Sequence, residues 1–207
     1  NSTVELRRTG GTALSIGGNY SGSTLNSTGL VVMADERAYM LVGHKITGTG
    51  IGTAVGVGSG SMGTLIISNG TYESKGLNIG QSTASRGEVR VEAGRLSVHT
   101  NAFTVANGAD SVGILTLAHP ESVLENHAGS SFLKLGSGVG SQGAFYLSNG
   151  VAILRQLLIG EAGYGYVEVG PSTLIISNNL YIPNSSGAGT GTGRMVIASA
   201  QSLVTAT

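Results

Sequence analysis

The carboxylates are the residues of this chain that could do chemistry, since paired Asp or Glu side chains hydrolyse glycosidic bonds or hold metal ions. The chain has two aspartates, Asp35 and Asp110, and they are distant in sequence. Glutamates at outward positions of predicted strands are Glu88, Glu92 and Glu168. Arg90 stands between the first two on the same face, which is typical of a solvated surface with modest ion pairing. We expect no catalytic residue, and a glycan-active enzyme, the less favoured alternative, would depend on Asp35 or Asp110.

The sequence also lacks clear motifs for binding a metal ion or a phosphate group. The histidines fall in no metal-ligand spacing: His44, His99, His119 and His127. Calcium-binding β-rolls repeat Gly-Gly-x-Gly-x-Asp, and this chain lacks the aspartates. The glycine runs at 136–140 and 187–193 lack the lysine and the following helix of a phosphate loop. We therefore expect no cofactor and no metal site, although a calcium ion held by backbone carbonyls stays open.

Composition narrows the class of protein and of partner. The 207 residues include 35 glycines and 3 prolines without a Gly-X-Y period, which excludes collagen, and 40% are hydrophobic, which argues against disorder. Eleven basic and eleven acidic residues give zero net charge, so no basic stripe is available for nucleic acid. No run approaches about 18 apolar residues, so no membrane span is expected. There are no cysteines.

A short pattern recurs along the whole chain and must position any functional side chain. After a small residue, usually glycine, apolar residues stand at the second and fourth places, as Val89 and Val91 follow Gly87. The pattern starts at Ser2, Gly29, Gly63, Gly87, Gly113, Gly143, Gly165 and Gly193. A second half ends in an apolar pair and a glycine, as in Leu77-Asn-Ile79-Gly80. Such regular recurrence is the signature of a repeat architecture.

The recurrence predicts an all-β fold. Alternation at period two indicates strands with one buried face, and units of about 22 to 34 residues with two or three short strands cannot bury that face alone. Stacked units predict a single domain over residues 1–207: a parallel β-solenoid of about eight coils with loops rich in Gly, Ser and Thr. An antiparallel sandwich or barrel would not explain the constant offset from glycine. A single helical turn after Pro120, within Ala118–Ala128, is the best helical alternative.

The segment GTLIISNGTYESKGLNIGQSTASRGEVRVEAGRLSV resembles the glycine-rich β-strand repeats of bacterial autotransporter passengers and related PEP-CTERM-associated surface proteins. Those repeats read roughly as Gly-Thr-Leu-x-Ile-x-x-Gly-Gly, then a second strand, then Leu-x-Ile-Gly. The similarity is best over Gly63–Gly80 and good over Gly143–Gly160. It implies a solenoid on a secreted or surface fibre, and it supplies no active-site residues.

The two ends carry the functional prediction. The chain begins at Asn1 without a methionine, so we expect a secreted, extracellular or cell-surface form whose targeting segment is removed. No amphipathic cap is visible at either end, and an uncovered end invites another strand. The chain is therefore predicted to be a non-enzymatic structural subunit that stacks head to tail. The predicted interface residues are Val4, Leu6, Met195, Ile197, Leu203 and Val204.

Two further hypotheses accompany this prediction. The chain could instead be an excised passenger segment of an autotransporter-like adhesin, and glycans or other cell-surface components are candidate partners besides a second copy. Five Asn-x-Ser/Thr sequons are candidate glycosylation sites: Asn1, Asn19, Asn26, Asn69 and Asn184.

Overall fold

Short runs of β-branched and aliphatic residues between glycines form strands throughout the computed structural model. It describes residues 2–6, 12–18, 26–43, 52–99, 103–126, 132–182 and 191–206, which contain no helix and hence none that could cross a membrane. The strands are β1 (Ser2–Leu6), β2 (Leu14–Ile16), β3 (Thr28–Met33), β4 (Ala38–Val42), β5 (Thr53–Val55), β6 (Met62–Ile67), β7 (Thr71–Ser74), β8 (Leu77–Ile79), β9 (Arg86–Val91), β10 (Gly94–Val98), β11 (Phe103–Val105), β12 (Val112–Leu117), β13 (Ser122–Asn126), β14 (Phe132–Leu135), β15 (Gln142–Leu147), β16 (Gly150–Ile159), β17 (Tyr164–Val169), β18 (Ser172–Tyr181), β19 (Thr192–Ile197) and β20 (Leu203–Ala206).

The strands fall into three rows, and every pairing in the described chain is parallel. Row 1 is the seven-stranded sheet of β3, β6, β9, β12, β15, β17 and β19. Row 2 contains β1, β4, β7, β10, β13, β16, β18 and β20. Row 3 contains β2, β5, β8, β11 and β14, followed by the second halves of β16 and β18. Rows 2 and 3 form one sheet because β16 and β18 belong to both, with a register shift between Leu154 and Gln156.

The expected all-β, parallel character is confirmed, and two alternatives are wrong. No described strand pair is antiparallel, so the chain is not an antiparallel sandwich or barrel. Residues 122–126 form β13 rather than a helical turn, because Val123 and Glu125 alternate with buried Leu124 and Asn126. That residues 1–207 form a single domain stays a prediction.

The predicted start of one unit is also wrong. The apolar spacing predicts that Ser2 is equivalent to Gly29, but β1 pairs with β4, so β1 belongs to row 2 rather than row 1. Both rows alternate with the same period of two, which is why the apolar spacing after Ser2 could not distinguish them. The chain therefore enters the described structure at the second strand of a unit.

The predicted inward positions form the core. In β6, Gly63, Leu65 and Ile67 are buried while Thr64 and Ile66 are partly exposed, and the same alternation recurs in the neighbouring strands of row 1. The confirmed buried pairs are Leu65 and Ile67, Val89 and Val91, Leu115 and Leu117, Phe145 and Leu147, and Val167 and Val169. Each fully buried aliphatic side chain stabilises the fold by about 1.5–3 kcal/mol relative to exposure.

The recurring glycine of row 1 is required because another part of the backbone lies too close for a side chain, and not because the chain turns there. Gly87 is the second residue of β9 and pairs with Gly63 and Gly113 on either side. A Cβ on Gly87 would collide with the backbone nitrogen of Gly80, at the corner that follows row 3. Gly80 itself has a φ of +68°, the left-handed conformation that turns the chain back towards row 1.

Buried serines close the same corner. Ser85, Ser111 and Ser141 each donate a hydroxyl hydrogen bond to the carbonyl three residues earlier, with oxygen–oxygen distances of 2.7, 2.7 and 2.6 Å. Each lies two residues before a row 1 glycine, so Ser-x-Gly marks the passage from corner to strand. The bond satisfies a buried hydroxyl and a turn carbonyl together.

Three buried hydroxyl groups form hydrogen bonds between row 2 and row 3. The Tyr72 hydroxyl is 2.7 Å from Thr53 Oγ1, which is 2.9 Å from Ser74 Oγ, and Ser74 donates to the Gly76 carbonyl at 2.7 Å. Tyr72 is fully buried. Burial raises the pKa of its phenol above the usual value, since the charged form would be desolvated, and the hydrogen bond to Thr53 offsets only part of this.

Substitutions at the corner should act in opposite directions. Gly80→Ala should lower the free energy of unfolding by about 1–2 kcal/mol, because an L-residue is strained in this conformation and its Cβ would lie 2.7 Å from the Val112 carbonyl oxygen. Ala84→Gly, at an exposed turn residue with a φ of +53°, should raise it by about 0.5 kcal/mol, since relief of strain exceeds the added chain entropy. Urea denaturation measures both, and changes of the same sign would contradict this account.

The buried phenol should make stability depend on alkaline pH. Its folded-state pKa is raised, so its contribution is complete below about pH 10 and is lost as the pH rises above that value, where the unfolded chain releases the proton first. Above about pH 10 the native protein should lose up to ~1.4 kcal/mol more per pH unit than Tyr72→Phe. Tyr72→Phe should itself cost about 1 kcal/mol at neutral pH.

Denaturant unfolding from pH 8 to 11 would measure this dependence. Tyr181→Phe, at an exposed tyrosine, controls for the loss of one tyrosine from the chain. Parallel stability curves for the native protein and Tyr72→Phe would refute the assignment.

Candidate functional site

The two aspartates lie at different corners of the fold. Asp35 follows β3 in an exposed turn, where its Oδ1 accepts the backbone N–H of Arg37 at 2.7 Å. Asp110 precedes β12 in an exposed turn with a φ of +53°, and its carboxylate lies over Gly140 of the next unit. Both aspartates thus lie in turns, and the fold does not bring their carboxylates together.

The outward glutamates form ion pairs and hydrogen bonds. Arg90 Nε lies 3.0 Å from Glu92 Oε1, with both side chains more than 40% exposed, and Glu92 Oε2 accepts from Ser68 at 2.8 Å. The expected solvated face with ion pairing is therefore present on β9 and the residues after it. Exposed pairs of this kind contribute about 0–1 kcal/mol each.

Histidines and sequons are only partly within the described residues. His99 Nε2 lies 3.2 Å from Glu73 Oε2, and His119 Nδ1 accepts the backbone N–H of Glu121 at 3.3 Å. No three His, Asp or Glu side chains gather in metal-binding positions within the described chain. Five of the candidate residues lie outside the described part of the chain: His44, His127, Asn1, Asn19 and Asn184.

The remaining two sequon asparagines lie at turns. Asn26 has a φ of +57°, and Asn69 Oδ1 accepts the backbone N–H of Gly70 at 2.9 Å. Their glycosylation stays a prediction.

The predicted interface residues lie at the two ends of the rows. Row 2 begins with β1 and ends with β20, and each pairs with one neighbour among the described strands. One inward series runs along the whole row: Val4, Met40, Tyr72, Leu96, Leu124, Ala152, Leu174 and Val204. Val4 and Val204 are thus the first and last members of the same series, and Leu6 opens the parallel series beside it.

The other end residues are divided between two faces. Met195 and Ile197 end the inward series of row 1, and Ile197 is 58% exposed although Val169, its equivalent one unit earlier, is fully buried. Leu203 instead pairs with Thr173 on the outward face, away from the apolar end of the core. Contact with another subunit stays a prediction for all six residues.

A cleft of about 410 Å³ opens on the outward face of row 1, across β12, β15, β17 and β19. Ala144 is central in the strand register, between Ile114 on one side and Tyr166 on the other. Tyr146 and Tyr164 also line it, so three tyrosines surround one small side chain. Tyr146 and Tyr166 lie with ring centroids 5.8 Å apart and planes inclined by 59°.

Polar groups complete the cleft. The Tyr166 hydroxyl donates to Glu168 Oε2 at 2.7 Å, and this hydrogen bond to a carboxylate raises the pKa of Tyr166. Arg194 Cζ lies 5.9 Å from the centre of the Tyr166 ring, within the range of a cation–π contact. The Tyr166 side chain is therefore held by three neighbours, of which one carries a positive charge and one a negative charge.

No family model, curated protein or solved structure matches the chain. The resemblance to autotransporter and PEP-CTERM-associated repeats therefore rests on the residues quoted for it.

The cleft was missed from the sequence although a signal exists. Tyr146 stands three residues after Gly143, and Tyr164 and Tyr166 flank Gly165. Aligning the two units on these glycines places all three tyrosines at outward positions of neighbouring strands. The repeat pattern is defined by its apolar inward positions alone, so it does not indicate the outward aromatic cluster.

Proposed function

We propose that the chain is a parallel β-solenoid and acts as a non-enzymatic structural subunit of an extracellular or cell-surface fibre. The chain visits rows 1, 2 and 3 in a constant order and pairs each strand with its equivalent 22 to 39 residues later, as Gln142 with Tyr164 and Leu14 with Thr53. Winding of this kind advances about 4.8 Å per turn, so the eight strands of row 2 would span about 34 Å.

The observation that carries the structural role is the pair of edges in row 2. An unpaired parallel edge presents backbone N–H and C=O groups to another strand. Val204 ends the inward series that Val4 begins, so a second copy placed head to tail would continue it with β1 beside β20. Such a contact is heterologous and does not close, and repeated contacts therefore produce a filament.

Apolar residues at the ends of rows 1 and 3 favour an association that covers this end of the core. Ile197 is 58% exposed and Ile182 40% exposed, whereas inward residues one unit earlier in the same series, such as Val169 and Ile159, are fully buried. Covering them stabilises an assembly by about 25 cal/mol per Å² of apolar surface removed from water. A neutral chain with few charges opposes such association weakly.

The ends of rows 1 and 3 favour a second candidate function, a segment of a longer adhesin. In a head-to-tail stack, the next copy's β1 and β2 precede its β3, so row 1 would have space for one more strand at the junction. Row 3 ends at β18, one unit before β20, and would also have space for one strand. A longer surface protein resembling an autotransporter passenger would fill both spaces with its own strands, and the chain would then be a segment of an adhesin.

An enzymatic role has less support. Hydrolysis by paired carboxylates needs two such groups about 5–10 Å apart across one bond. Asp35 and Asp110 lie at different corners, and Glu168 is the carboxylate that lines the tyrosine cleft in the described chain. The proposal is therefore non-enzymatic.

Electron microscopy of the purified chain would test the filament. Val204→Lys should abolish filaments, because it places an unpaired charge between β20 and the next copy's β1. Thr205→Lys, on the same strand but facing outward beside Ile175, should leave them intact. Thermal unfolding should confirm that both variants stay folded.

Uniform short rods of about 34 Å from the native chain would reject self-stacking. If a chain extended by its own flanking sequence forms a longer rod with one cooperative unfolding transition, the adhesin segment is favoured. Equal loss of filaments in both lysine variants would contradict the β1–β20 junction.

A further inference from the structure

We propose that the tyrosine cleft on the outward face of row 1 binds a neutral oligosaccharide. The site is defined by Tyr146, Tyr164, Tyr166, Gln142, Glu168 and Arg194, around Ala144. It does not depend on head-to-tail stacking through β1 and β20, because its residues lie on the outward face of row 1, with Arg194 on the last strand of that row, β19.

The aromatic residues provide the surface that a sugar ring requires. One face of a pyranose carries C–H groups, which pack on the electron-rich face of an aromatic ring and lose apolar contact with water. Tyr164 is 39% exposed at the edge of the cleft, and Tyr146 and Tyr166 are partly exposed. Ala144 leaves the space between them open, because a larger outward side chain at that position would fill it.

The polar residues provide the second requirement, which is fixed hydrogen-bonding groups for hydroxyls. Glu168 accepts from Tyr166 and keeps further acceptor sites, Arg194 supplies donors, and Gln142 supplies both types of group. The Tyr166 ring lies between Tyr146 and Arg194, which limits its movement before any ligand binds. Preorganised groups lose less entropy on binding.

Charge indicates a neutral ligand. Arg194 and Glu168 contribute opposite charges to one cleft, so neither an acidic nor a basic ligand is favoured by the sum. The volume of about 410 Å³ lies within the range of ~300–1,000 Å³ that is typical of small-ligand sites.

An adjoining depression indicates more than one sugar ring. It has a volume of about 420 Å³, shares Gln142 and Tyr164 with the cleft, and continues around the corner over Gly140 and Gly163. The absence of side chains at these two glycines leaves room along the strand ends. A linear oligosaccharide could therefore lie across β15 and β17 and extend over the corner.

Cross-strand stability is the competing explanation of the tyrosine pair. Aromatic neighbours on adjacent strands stabilise a sheet by about 0.2–1 kcal/mol. That explanation accounts for Tyr146 beside Tyr166 but not for the open space over Ala144. Phe132 and Tyr181 form a comparable pair outside the cleft, with centroids 6.0 Å apart, and supply a matched control.

Isothermal titration calorimetry with five hexasaccharides would test the proposal. The probes are maltohexaose, cellohexaose, mannohexaose and N-acetylated chitohexaose, with hexagalacturonate as the acidic comparison. At least one neutral probe should bind with a dissociation constant below about 1 mM. Tyr166→Ala should weaken that binding by about tenfold or more, and Tyr181→Ala should leave it within about twofold.

Ala144→Trp provides a variant that keeps all three tyrosines. It should abolish binding by filling the cleft, while circular dichroism and thermal unfolding stay native. Binding that persists in Ala144→Trp, tightest binding to hexagalacturonate, or no binding of any neutral probe below about 1 mM would each overturn the proposal. Equal losses in Tyr166→Ala and Tyr181→Ala would attribute the effect to sheet stability and would also overturn it.

Discussion

Parallel pairing in constant register is the constraint on which the rest of this structure depends. Each strand must lie beside its equivalent in the neighbouring units, residue against residue, or the inward side chains of one unit would face outward in the next. Gly87 and its equivalents permit this register, since a Cβ there would collide with the preceding corner. The left-handed backbone conformation of Gly80 and the hydrogen bond from the Ser85 hydroxyl shape the corner that returns the chain to row 1. Backbone geometry at the corners and the alternation of side chains thus act together.

The inward face could be predicted from the sequence because it is repetitive. Leu65, Val89 and Leu115 stand at one offset from glycine, and burial of every second residue requires just this spacing. Row membership could not be predicted in the same way, since the alternation after Ser2 is compatible with row 1 or row 2. The burial of the Tyr72 phenol could not be predicted from the sequence either, because its hydrogen-bond partner Thr53 comes from another row of the fold.

The outward face follows a different rule, and this explains why the cleft was missed. Outward residues need only avoid clashes and remain hydrated, so they change from unit to unit without a period. Tyr146 and Tyr166 meet through strand register across two units, although they are separated in the chain. The repeated inward residues therefore determine the fold, while the tyrosine cleft is formed by outward positions that vary between units.

The Ser-x-Gly motif recurs where the chain enters a row 1 strand, and this recurrence affects how such a chain can evolve. Ser111 and Ser141 occupy the same corner in consecutive units, and the strands after them begin at equivalent places, Val112 and Gln142. Loss of residues 112–141 would join Ser111 directly to Gln142 and recreate a Ser-x-Gly corner. Duplication of the same stretch would add a unit with equally compatible junctions. Recombination within a gene for this chain could thus lengthen or shorten the protein by whole units without redesigning the core.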